Sequence, residues 1–487
     1  MSKNSFYITT TLPYVNSDPH IGFAMEIVRA DIIARFKKLE GFEVFFNTGT
    51  DEHGQKIFDK AVAEGYDVQA YADLYAEKFK NLKESLDLSP DINFIRTTDP
   101  HHIRAAQEFW RKVDEAGYIY KKNYKAKYCV GCEMEKTDSE LVNGKCPDHP
   151  NQEIEIIQEE NYFFKFSEFQ NKLLEFYDKN RDFVVPDFRF NEIKRFVERG
   201  LQDFSISRLK SKMSWGVPVP GDPEHVMYVW FDALVNYVSA IGWPEDMDKF
   251  KKWWPVTQYC GKDNLRQQSA TWQAMLMACG LPPSKNIVIG GFVNVGGQKM
   301  SKSLGNVVNP NTLVDDYGVD ALRYYIAREL STFEDGDYTD EKFKETYNAN
   351  LANGLGNLVS RIMKMAESNL SEPVPSVLSR ASSREVEGKT ELPIEYLKFL
   401  NNFEIKKAAD FIWAEIAGLD YYIQRNQPFK VIKEDKSRGE EMIVYLVQKL
   451  YEISYMLAPI MPQTADKIQE LIKSNKSPET PLFLRRD

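Results

Sequence analysis

The sequence predicts an α/β fold in which a parallel sheet is split by an insertion and followed by a bundle of helices. Residues 1–114 alternate strand-like and helix-like segments, as in a parallel sheet covered by helices. A cysteine-containing, mixed segment breaks this alternation over residues 115–222, and residues 223–330 resume it. Residues 331–487 are mostly helical in pattern. We therefore predict two halves of one sheet domain, an insertion between them and a helical domain, with these boundaries.

The first predicted strand and helix meet at a turn that suits a phosphate group. An apolar run over residues 7–15 predicts the strand, and apolar residues at helical spacing over residues 27–39 predict the helix. His20 and Gly22 lie between them. Glycine allows a ligand close to the backbone, and a helix N-terminus favours negative charge. A single His-x-Gly is weak evidence, so this interpretation needs a second site.

Residues 299–303 provide that second site, because they read Lys-Met-Ser-Lys-Ser in a glycine-flanked loop. Lys299 and Lys302 form a mobile pair of cations, which suits a triphosphate whose charge shifts as pyrophosphate leaves. Such a loop alone is most often a solvated basic segment. Paired with the turn at His20, it resembles the two signatures of class I aminoacyl-tRNA synthetases.

Three segments predict a pocket at the strand ends, where an open α/β sheet binds its ligands. They are residues 11–16, residues 48–54 at the end of a second strand, and residues 229–237. Asp51 can pair with a substrate ammonium group. Aromatic and apolar side chains could enclose a flexible thioether. These side chains are Leu12, Tyr14, Trp230, Ala233 and Tyr237. Core packing is the alternative for Trp230 and Tyr237.

A cysteine cluster in the insertion predicts a structural zinc site. Two short knuckles separated by 13 residues fit one tetrahedral Zn²⁺ with no open position. Their ligands would be Cys129, Cys132, Cys146 and His149. Cys260 and Cys279 lie in apolar contexts that favour core packing.

The composition is that of an ordinary globular chain, with 487 residues, 43% hydrophobic, 28% charged and a net charge of −10. We find no signal peptide and no membrane-spanning run, and five cysteines do not suggest a disulfide framework, so we expect a cytoplasmic protein. The net charge argues against general nucleic-acid binding, so any RNA contact must use local basic patches. Two clusters qualify, and either could equally be solvated surface. They are Lys121, Lys122, Lys125 and Lys127, and Arg189, Lys194, Arg195 and Arg199.

Almost the whole chain resembles the methionyl-tRNA synthetases with a single zinc knuckle. The motifs are Leu-Pro-Tyr-Val-Asn at 12–16, Gly-Thr-Asp-Glu-His-Gly at 49–54, the cysteine cluster, Trp-Gly-Val-Pro-Val-Pro at 215–220, Trp-Phe-Asp-Ala at 230–233, Gly-Lys-Asp at 261–263 and Lys-Met-Ser-Lys-Ser. The resemblance implies a Rossmann-like catalytic domain, split by a zinc-binding insertion, and an anticodon-binding helical bundle. It also implies an ATP-dependent ligase that charges tRNA(Met) with methionine through methionyl-adenylate, with Mg²⁺ accompanying ATP.

The resemblance implies roles for individual residues. His20 and Gly22 would cradle the nucleotide, and Asp263 after Gly261 would bind the ribose. Lys299 and Lys302 would close over the phosphates, so His20 and the two lysines form the catalytic set. Asn357, Arg361 and Phe429 would read the anticodon.

Three positions depart from the family pattern. Phe23 stands where the first signature usually has His, and it cannot donate a hydrogen bond. Gln268 replaces a pocket His with a side chain that does not titrate. Phe429 replaces a larger Trp, so stacking on the anticodon should weaken.

Several alternatives follow from these motifs. A ligase for Val, Ile or Leu would carry a large editing insertion, and a cysteinyl ligase would hold zinc at the amino-acid site. A non-catalytic RNA-binding relative is motivated by Phe23 and Gln268, but Asp51 and the lysine loop argue against it. A small-molecule adenylating enzyme would leave the helical domain unexplained. With no appended domain in the sequence, we expect a monomer.

Overall fold

A six-stranded parallel sheet forms the centre of the computed structural model, which describes residues 4–132, 134–300, 305–374 and 392–486. All neighbouring strands are parallel. In spatial order they are Asn93–Arg96, Glu43–Thr50, Ser5–Thr9, Thr257–Gly261, Asn286–Gly290 and Val184–Val185. The strand order reverses between Ser5–Thr9 and Thr257–Gly261. Their carboxyl ends therefore border the crevice where such sheets bind ligands.

The sheet is buried on both faces, which explains the apolar runs in its strands. Along the first strand, Phe6 and Ile8 enter one hydrophobic core while Tyr7 enters another on the opposite face. This strand ends at Thr9, so the prediction of a strand over residues 7–15 is too long. Residue 13 is proline, which lacks the N–H that a continuing ladder requires.

Helices cover the sheet and connect its strands. The first, Ile21–Leu39, packs its buried face on the first core. A π-helical turn at Gln267–Thr271 leads directly into helix Trp272–Ala278. The other helices are Gln55–Glu64, Val68–Lys80, Leu82–Ser85, Pro100–Glu115, Val229–Ala233, Asn236–Ser239, Met247–Trp253 and Trp272–Ala278.

The segment between the sheet's two halves contains a four-stranded antiparallel sheet. Its strands, in spatial order, are Met134–Lys136, Ile119–Cys129, Glu155–Phe164 and Phe204–Ser205. Helices Gln170–Lys179 and Asp187–Glu198 follow, and Ser207–Leu209 pairs with His225–Met227. Val184–Val185 lies within predicted insertion 115–222 but adds an edge strand to the central sheet. The segment boundaries themselves stay a prediction.

A small three-stranded sheet carries the start of the lysine loop. It contains Gln298–Lys299, Val293–Val295 and Gly336–Tyr338. The helices Pro310–Tyr317, Val319–Tyr324 and Asp340–Thr346, with a π-helical turn at Tyr325–Glu329, lead into the helical domain.

The helical domain packs on the same core as the first helix. Its elements are a π-helical segment Tyr347–Gly356 and helices Asn357–Asn369, Ile394–Asn401, Ile405–Asn426, Pro428–Glu434, Lys436–Leu457 and Pro462–Ser474. The chain breaks between helices Ile394–Asn401 and Ile405–Asn426 at Phe403, whose φ is +60°. Residues 371–393 are rich in serine, proline and glutamate, which predicts a loop between helices, and most of them lie outside the described residues. The α/β class with a C-terminal helical region is confirmed.

Candidate active site

His20 caps the helix Ile21–Leu39 at the edge of the crevice. Its ring Nδ1 accepts a hydrogen bond from the backbone N–H of Gly22 at 3.1 Å. Because Nδ1 is the acceptor, the neutral ring carries its proton at Nε2, which can donate to a ligand oxygen. A Cβ atom on Gly22 would lie 3.0 Å from this ring, so a side chain there would crowd the cap.

The lysine loop approaches this turn. Met300 Cε would lie 3.2 Å from a Cβ atom on Gly22. Lys299 is exposed at the end of strand Gln298–Lys299. Lys302 lies outside the described residues. The first signature and the start of the lysine loop therefore meet at one edge of the crevice.

Glu26, which sequence reasoning missed, lies one turn into the first helix and faces the crevice. The backbone N–H and hydroxyl of Thr11 both donate to its Oε1 atom, at 2.8 and 2.5 Å. Loss of solvent raises the pKa of Glu26 to about 7, the bonds from Thr11 oppose that rise, and the charge of Asp263 adds to it. A half-buried acid in a helix resembles ordinary packing in sequence, so only the long-range contact identifies it.

Gly261 and Asp263 stand at the end of strand Thr257–Gly261, on the other side of the switch point. Asn264 Nδ2 donates to Asp263 Oδ1 at 3.0 Å, and Lys262 pairs with Asp335 at 2.6 Å. Asp263 is exposed to solvent, but the protein atoms packed around it raise its pKa by partial desolvation, and the positive charge of Lys299 opposes that rise. Two predicted nucleotide-binding groups therefore lie close enough to interact.

Asp51 is buried where the second strand ends. Its backbone N–H donates to the carbonyl of Pro13 at 3.0 Å, and its carbonyl accepts from Val15 at 3.3 Å. These bonds join residues 11–16 to the Asp51 segment. Leu12 and Tyr14 are half-buried beside it, and the Lys56 ammonium lies 5.2 Å from the Tyr14 ring centroid.

Glu52 anchors the same segment from the outer side. Arg96 binds both of its carboxylate oxygens, at 2.7 and 2.8 Å. The indole N–H of Trp215 donates to the Glu52 carbonyl at 2.5 Å. Asp51 is thereby held in place by its neighbours on both sides.

A buried triad links the Asp51 segment to the helix Val229–Ala233. Asp232 Oδ2 lies 2.6 Å from His53 Nδ1, and Asp232 Oδ1 lies 2.8 Å from His102 Nε2. Burial opposes ionisation of Asp232, but the two imidazoles outweigh it and lower its pKa to about 2. The half-buried Trp230 and the buried Ala233 flank Asp232 on this helix. The triad therefore fixes one predicted pocket wall relative to another.

Tyr237 and Gln268 meet in a buried chain of hydrogen bonds. Gln268 Nε2 donates to the Tyr237 hydroxyl at 2.7 Å, while Gln268 Oε1 accepts from Gln258 Nε2 at 2.6 Å. Gln258 Oε1 accepts in turn from Ser284 at 2.6 Å. Because the tyrosine oxygen is already an acceptor, its own proton can point elsewhere. Sequence reasoning missed Gln258 and Ser284, since nothing local marks a buried amide.

Phe23, which replaces the usual His of the first signature, is well packed. Its ring packs edge-on against Phe79, with the centroids 5.3 Å apart. Phe79 belongs to helix Val68–Lys80, so the side chain that replaces the usual His joins two helices of the domain.

The four predicted metal ligands come together in the insertion. Their ligand atoms all lie within 4.8 Å of one another, with Cys132 Sγ 3.5 Å from Cys146 Sγ and 3.3 Å from His149 Nδ1. A Cβ atom on Gly131 would lie 2.4 Å from His149 Cγ, so glycine is required there. Cys129, Cys132, Cys146 and His149 could hold one metal ion. Cys260 is buried in the second core and Cys279 packs against it, apart from this cluster.

Comparisons with known proteins agree with this geometry. The family model described as tRNA synthetases class I (M) matches residues 6–155 and 149–363. The methionine–tRNA ligase of Thermotoga maritima is 41% identical over 97% of this chain and 76% of its own length. That of Rickettsia typhi is 38% identical over 100% of this chain and 96% of its own. The chain belongs to the methionyl-tRNA synthetase family.

A solved member of the methionyl-tRNA synthetase family has the same fold. The Mycobacterium tuberculosis methionyl-tRNA synthetase in complex with methionyl-adenylate superposes with a TM-score of 0.88 at 35% identity. The match covers 96% of this chain and 94% of that one. The resemblance inferred from the motifs is therefore confirmed.

The residues predicted to contact the anticodon lie in the helical domain of this synthetase-family chain. Asn357 is exposed at the start of helix Asn357–Asn369, and Arg361 lies one turn further on. The Arg361 guanidinium pairs with Asp420 of helix Ile405–Asn426. Phe429 is 44% exposed, which leaves its ring available for stacking. In the described part of the chain, no helix is long and apolar enough to cross a membrane.

Proposed function

We propose that this chain uses ATP to join methionine to tRNA(Met), through methionyl-adenylate, with release of AMP and pyrophosphate. The observation that carries the proposal is that three adjacent strands, Glu43–Thr50, Ser5–Thr9 and Thr257–Gly261, each end at a family motif beside the switch point of the sheet. Relatives named methionine–tRNA ligase match almost the whole chain. The reaction needs no covalent bond between the enzyme and its substrates. The protein therefore acts by positioning the reactants and stabilising charge.

The methionine pocket lies between the Asp51 segment and the helix Val229–Ala233. Asp51 pairs with the substrate ammonium, and the Tyr237 hydroxyl donates its free proton towards the thioether. Leu12, Tyr14, Trp230 and Ala233 supply the apolar wall, and Gln268 holds the Tyr237 ring. The supporting observations are the burial of Asp51 and the hydrogen bond from Gln268 to Tyr237.

ATP binds across the switch point, with Mg²⁺ accompanying its phosphates. His20 Nε2 donates to a phosphate oxygen, and Gly22 keeps the helix N-terminus accessible. Asp263 accepts from the ribose hydroxyls beside Gly261. Lys299 and Lys302 neutralise the charge that develops on pyrophosphate as the methionine carboxylate attacks the α-phosphate. The position of Lys299, close enough to oppose the rise in the Asp263 pKa, supports this arrangement.

In the second step, a hydroxyl of the terminal adenosine of tRNA attacks the activated carbonyl. Asn357 and Arg361 on one helix face, with the exposed Phe429, contact the anticodon. Their exposure supports this role, and Asp420 holds the Arg361 guanidinium in position for bases.

The metal of the insertion is Zn²⁺ in a structural role. Three thiolates and one imidazole form the donor set that zinc prefers, and the four ligands leave no position for substrate. The ion stabilises a small antiparallel sheet that has little core of its own. We further propose that the protein is cytoplasmic and monomeric.

The test is amino-acid-dependent exchange of labelled pyrophosphate into ATP, screened over the twenty amino acids. We expect exchange with methionine alone. Lys302→Ala should lower the exchange rate while methionine binding stays near normal, because the lysine acts on the phosphates. Exchange with a different amino acid, or none from folded, zinc-loaded protein with tRNA added, would contradict the proposal.

A further inference from the structure

Residues 319–332 are hydrogen-bonded both to the sheet domain and to the helical domain, and we call them the bridging segment. They comprise helix Val319–Tyr324, the π-helical turn Tyr325–Glu329 and residues 330–332. None of them has a role among those assigned above. Because each end of the segment bonds to both domains, the segment determines how the domains are arranged.

Arg323 forms the first contact and is fully buried. Towards the sheet domain, its Nη2 donates to Asp31 Oδ2 at 2.7 Å and its Nη1 donates to the Leu86 carbonyl at 3.1 Å. Towards the helical domain, its Nε donates to the Ile460 carbonyl at 2.8 Å, and Nη2 also donates to that of Pro459 at 3.0 Å. One guanidinium therefore bonds a helix of the sheet domain and the turn before the last helix of the helical domain.

Thr332 forms a second contact at the other end of the segment. Its carbonyl accepts a hydrogen bond from Nη1 of Arg29, which lies on helix Ile21–Leu39, at 3.2 Å. Its hydroxyl accepts one from the backbone N–H of Lys406 at 3.1 Å. The Lys406 ammonium also donates to the carbonyl of Arg328 at 2.5 Å. The start of a long helix of the helical domain is therefore fixed to the bridging segment.

Two helices join these contacts to the two ends of the proposed tRNA site. Helix Ile405–Asn426 begins at the bridging segment and carries Asp420, which holds the guanidinium of Arg361. Its 22 residues span roughly 33 Å at about 1.5 Å per residue. On the other side, helix Ile21–Leu39 begins at His20 in the proposed nucleotide site. A shift at the bridging segment would therefore move the anticodon-binding face relative to the active site.

The polar character of the first contact indicates a positioning role. Taking a guanidinium out of water is costly, and well-packed apolar residues of similar volume often hold a buried interface equally well. A planar guanidinium has donors in a fixed arrangement, so its acceptors in the two domains satisfy it in only one relative position. Since Arg323 is fully buried, it does not touch tRNA or ATP. Its contribution to the reaction lies in the geometry of the domains.

We propose that Arg323 is a positioning residue for tRNA charging, which holds the anticodon-binding helices in one register with the active site. A tRNA bound by its anticodon then presents its terminal adenosine to the adenylate. Thr332 supports the same register at the second contact. The inference rests on the proposed function and adds residues that act on the second step without touching either substrate.

The test uses matched variants of the two contacts. Arg323→Lys keeps the charge but loses the planar fork of donors. Thr332→Val removes the hydroxyl from a side chain of nearly the same shape, and Thr332→Ser keeps it. Arg111→Lys, at an exposed arginine of helix Pro100–Glu115, is the control. Each protein is assayed for charging of tRNA(Met) and for methionine-dependent pyrophosphate exchange.

We expect kcat for charging to fall about tenfold or more in Arg323→Lys and several-fold in Thr332→Val, since a misplacement of about 1 Å can cost about a hundredfold in rate. The KM for tRNA should change less than about threefold, because the anticodon contacts remain. Pyrophosphate exchange should stay within about twofold of wild type, because adenylate formation does not involve the helical domain. Thr332→Ser and Arg111→Lys should charge tRNA like wild type.

A minihelix with the acceptor stem and 3′ end of the tRNA, but no anticodon arm, separates positioning from general damage. Its charging does not depend on the register of the domains, so every variant should charge it at the wild-type rate. Equal losses for tRNA and minihelix, lost pyrophosphate exchange, or an unchanged kcat for tRNA in both Arg323→Lys and Thr332→Val would each overturn the proposal. If Arg323→Lys does not fold, the comparison of Thr332→Val with Thr332→Ser decides. Absence of tRNA charging by wild type would instead count against the proposed function.

Discussion

His53 Nδ1 lies 2.6 Å from Asp232 Oδ2, in a buried contact that spans 179 residues of sequence. His102 occupies the other oxygen of the same carboxylate. The contact joins the segment that carries Asp51 to the helix that carries Trp230. Two walls of the proposed methionine pocket are therefore set relative to each other by one buried carboxylate.

Asp232→Asn should loosen this connection. Removing one charge from a buried, hydrogen-bonded cluster typically costs about 3–5 kcal/mol in the free energy of unfolding. At pH 7 we expect this loss of stability, measured by chemical denaturation, and a several-fold higher KM for methionine, measured by pyrophosphate exchange. Asp248→Asn, at an exposed helix end, is the control and should show neither effect. A variant as stable as the control would show that the triad contributes little.

The same carboxylate predicts how stability changes in acid. The pKa of Asp232 in the folded state is lowered to about 2. Its stabilising contribution is therefore complete above the unfolded-state pKa of about 3.9 and is lost as pH falls towards 2. Wild type should lose more stability than Asp232→Asn over that interval. Parallel curves of unfolding free energy against pH for the two proteins would refute this.

Glu26→Gln should change pH dependence near neutrality. The pKa of Glu26 is raised to about 7, so the folded state holds a proton that the unfolded state releases above about pH 4.5. Stability should fall as pH rises from 4.5 to 7 in wild type, and this component should be absent from the variant. Because Glu26 lies beside Asp263, the KM for ATP should vary with pH near 7 in wild type but not in Glu26→Gln. Identical pH profiles for wild type and Glu26→Gln would exclude a role for this group.

Gln268 offers a test of the buried amide chain. Gln268→Leu leaves the Gln258 amide and the Tyr237 hydroxyl without their partner, at a cost of about 1–3 kcal/mol in unfolding free energy. We expect a raised KM for methionine in that variant. Gln268→His should keep a hydrogen bond but introduce a titrating group, so that its KM for methionine varies between about pH 5 and 8. If the KM for methionine does not vary with pH in Gln268→His and is unchanged in Gln268→Leu, Gln268 does not contribute to the methionine pocket.

Metal removal should affect the insertion selectively. Cys132→Ser takes one of four ligands, so zinc content should fall from one per chain and amide exchange should rise over residues 115–160. Cys279→Ser is the matched control, because that thiol packs on the second core. Full zinc content in Cys132→Ser, or exchange rates unchanged after chelation, would contradict a structural site.

Local patterns predicted the central sheet, the helical domain and the gathering of the four metal ligands, because each depends on periodicity or close spacing. They could not predict Val184–Val185, since a two-residue strand has no measurable alternation. The break at Phe403 interrupts an apolar pattern that continues on both sides of it. Glu26, Gln258 and His102 gain their significance only from partners far along the chain. Long-range contacts of buried polar groups have no local signature.

Aminoacylation of purified tRNA(Met) by the zinc-loaded protein, with ATP and labelled methionine, is the most direct test of the proposed function. We expect methionine to be esterified to the terminal adenosine in a reaction that depends on ATP. We also expect a large loss of charging when Arg361→Ala and Phe429→Ala are combined, with pyrophosphate exchange retained. Adenylate formed without any charging of tRNA, or charging with another amino acid, would contradict it.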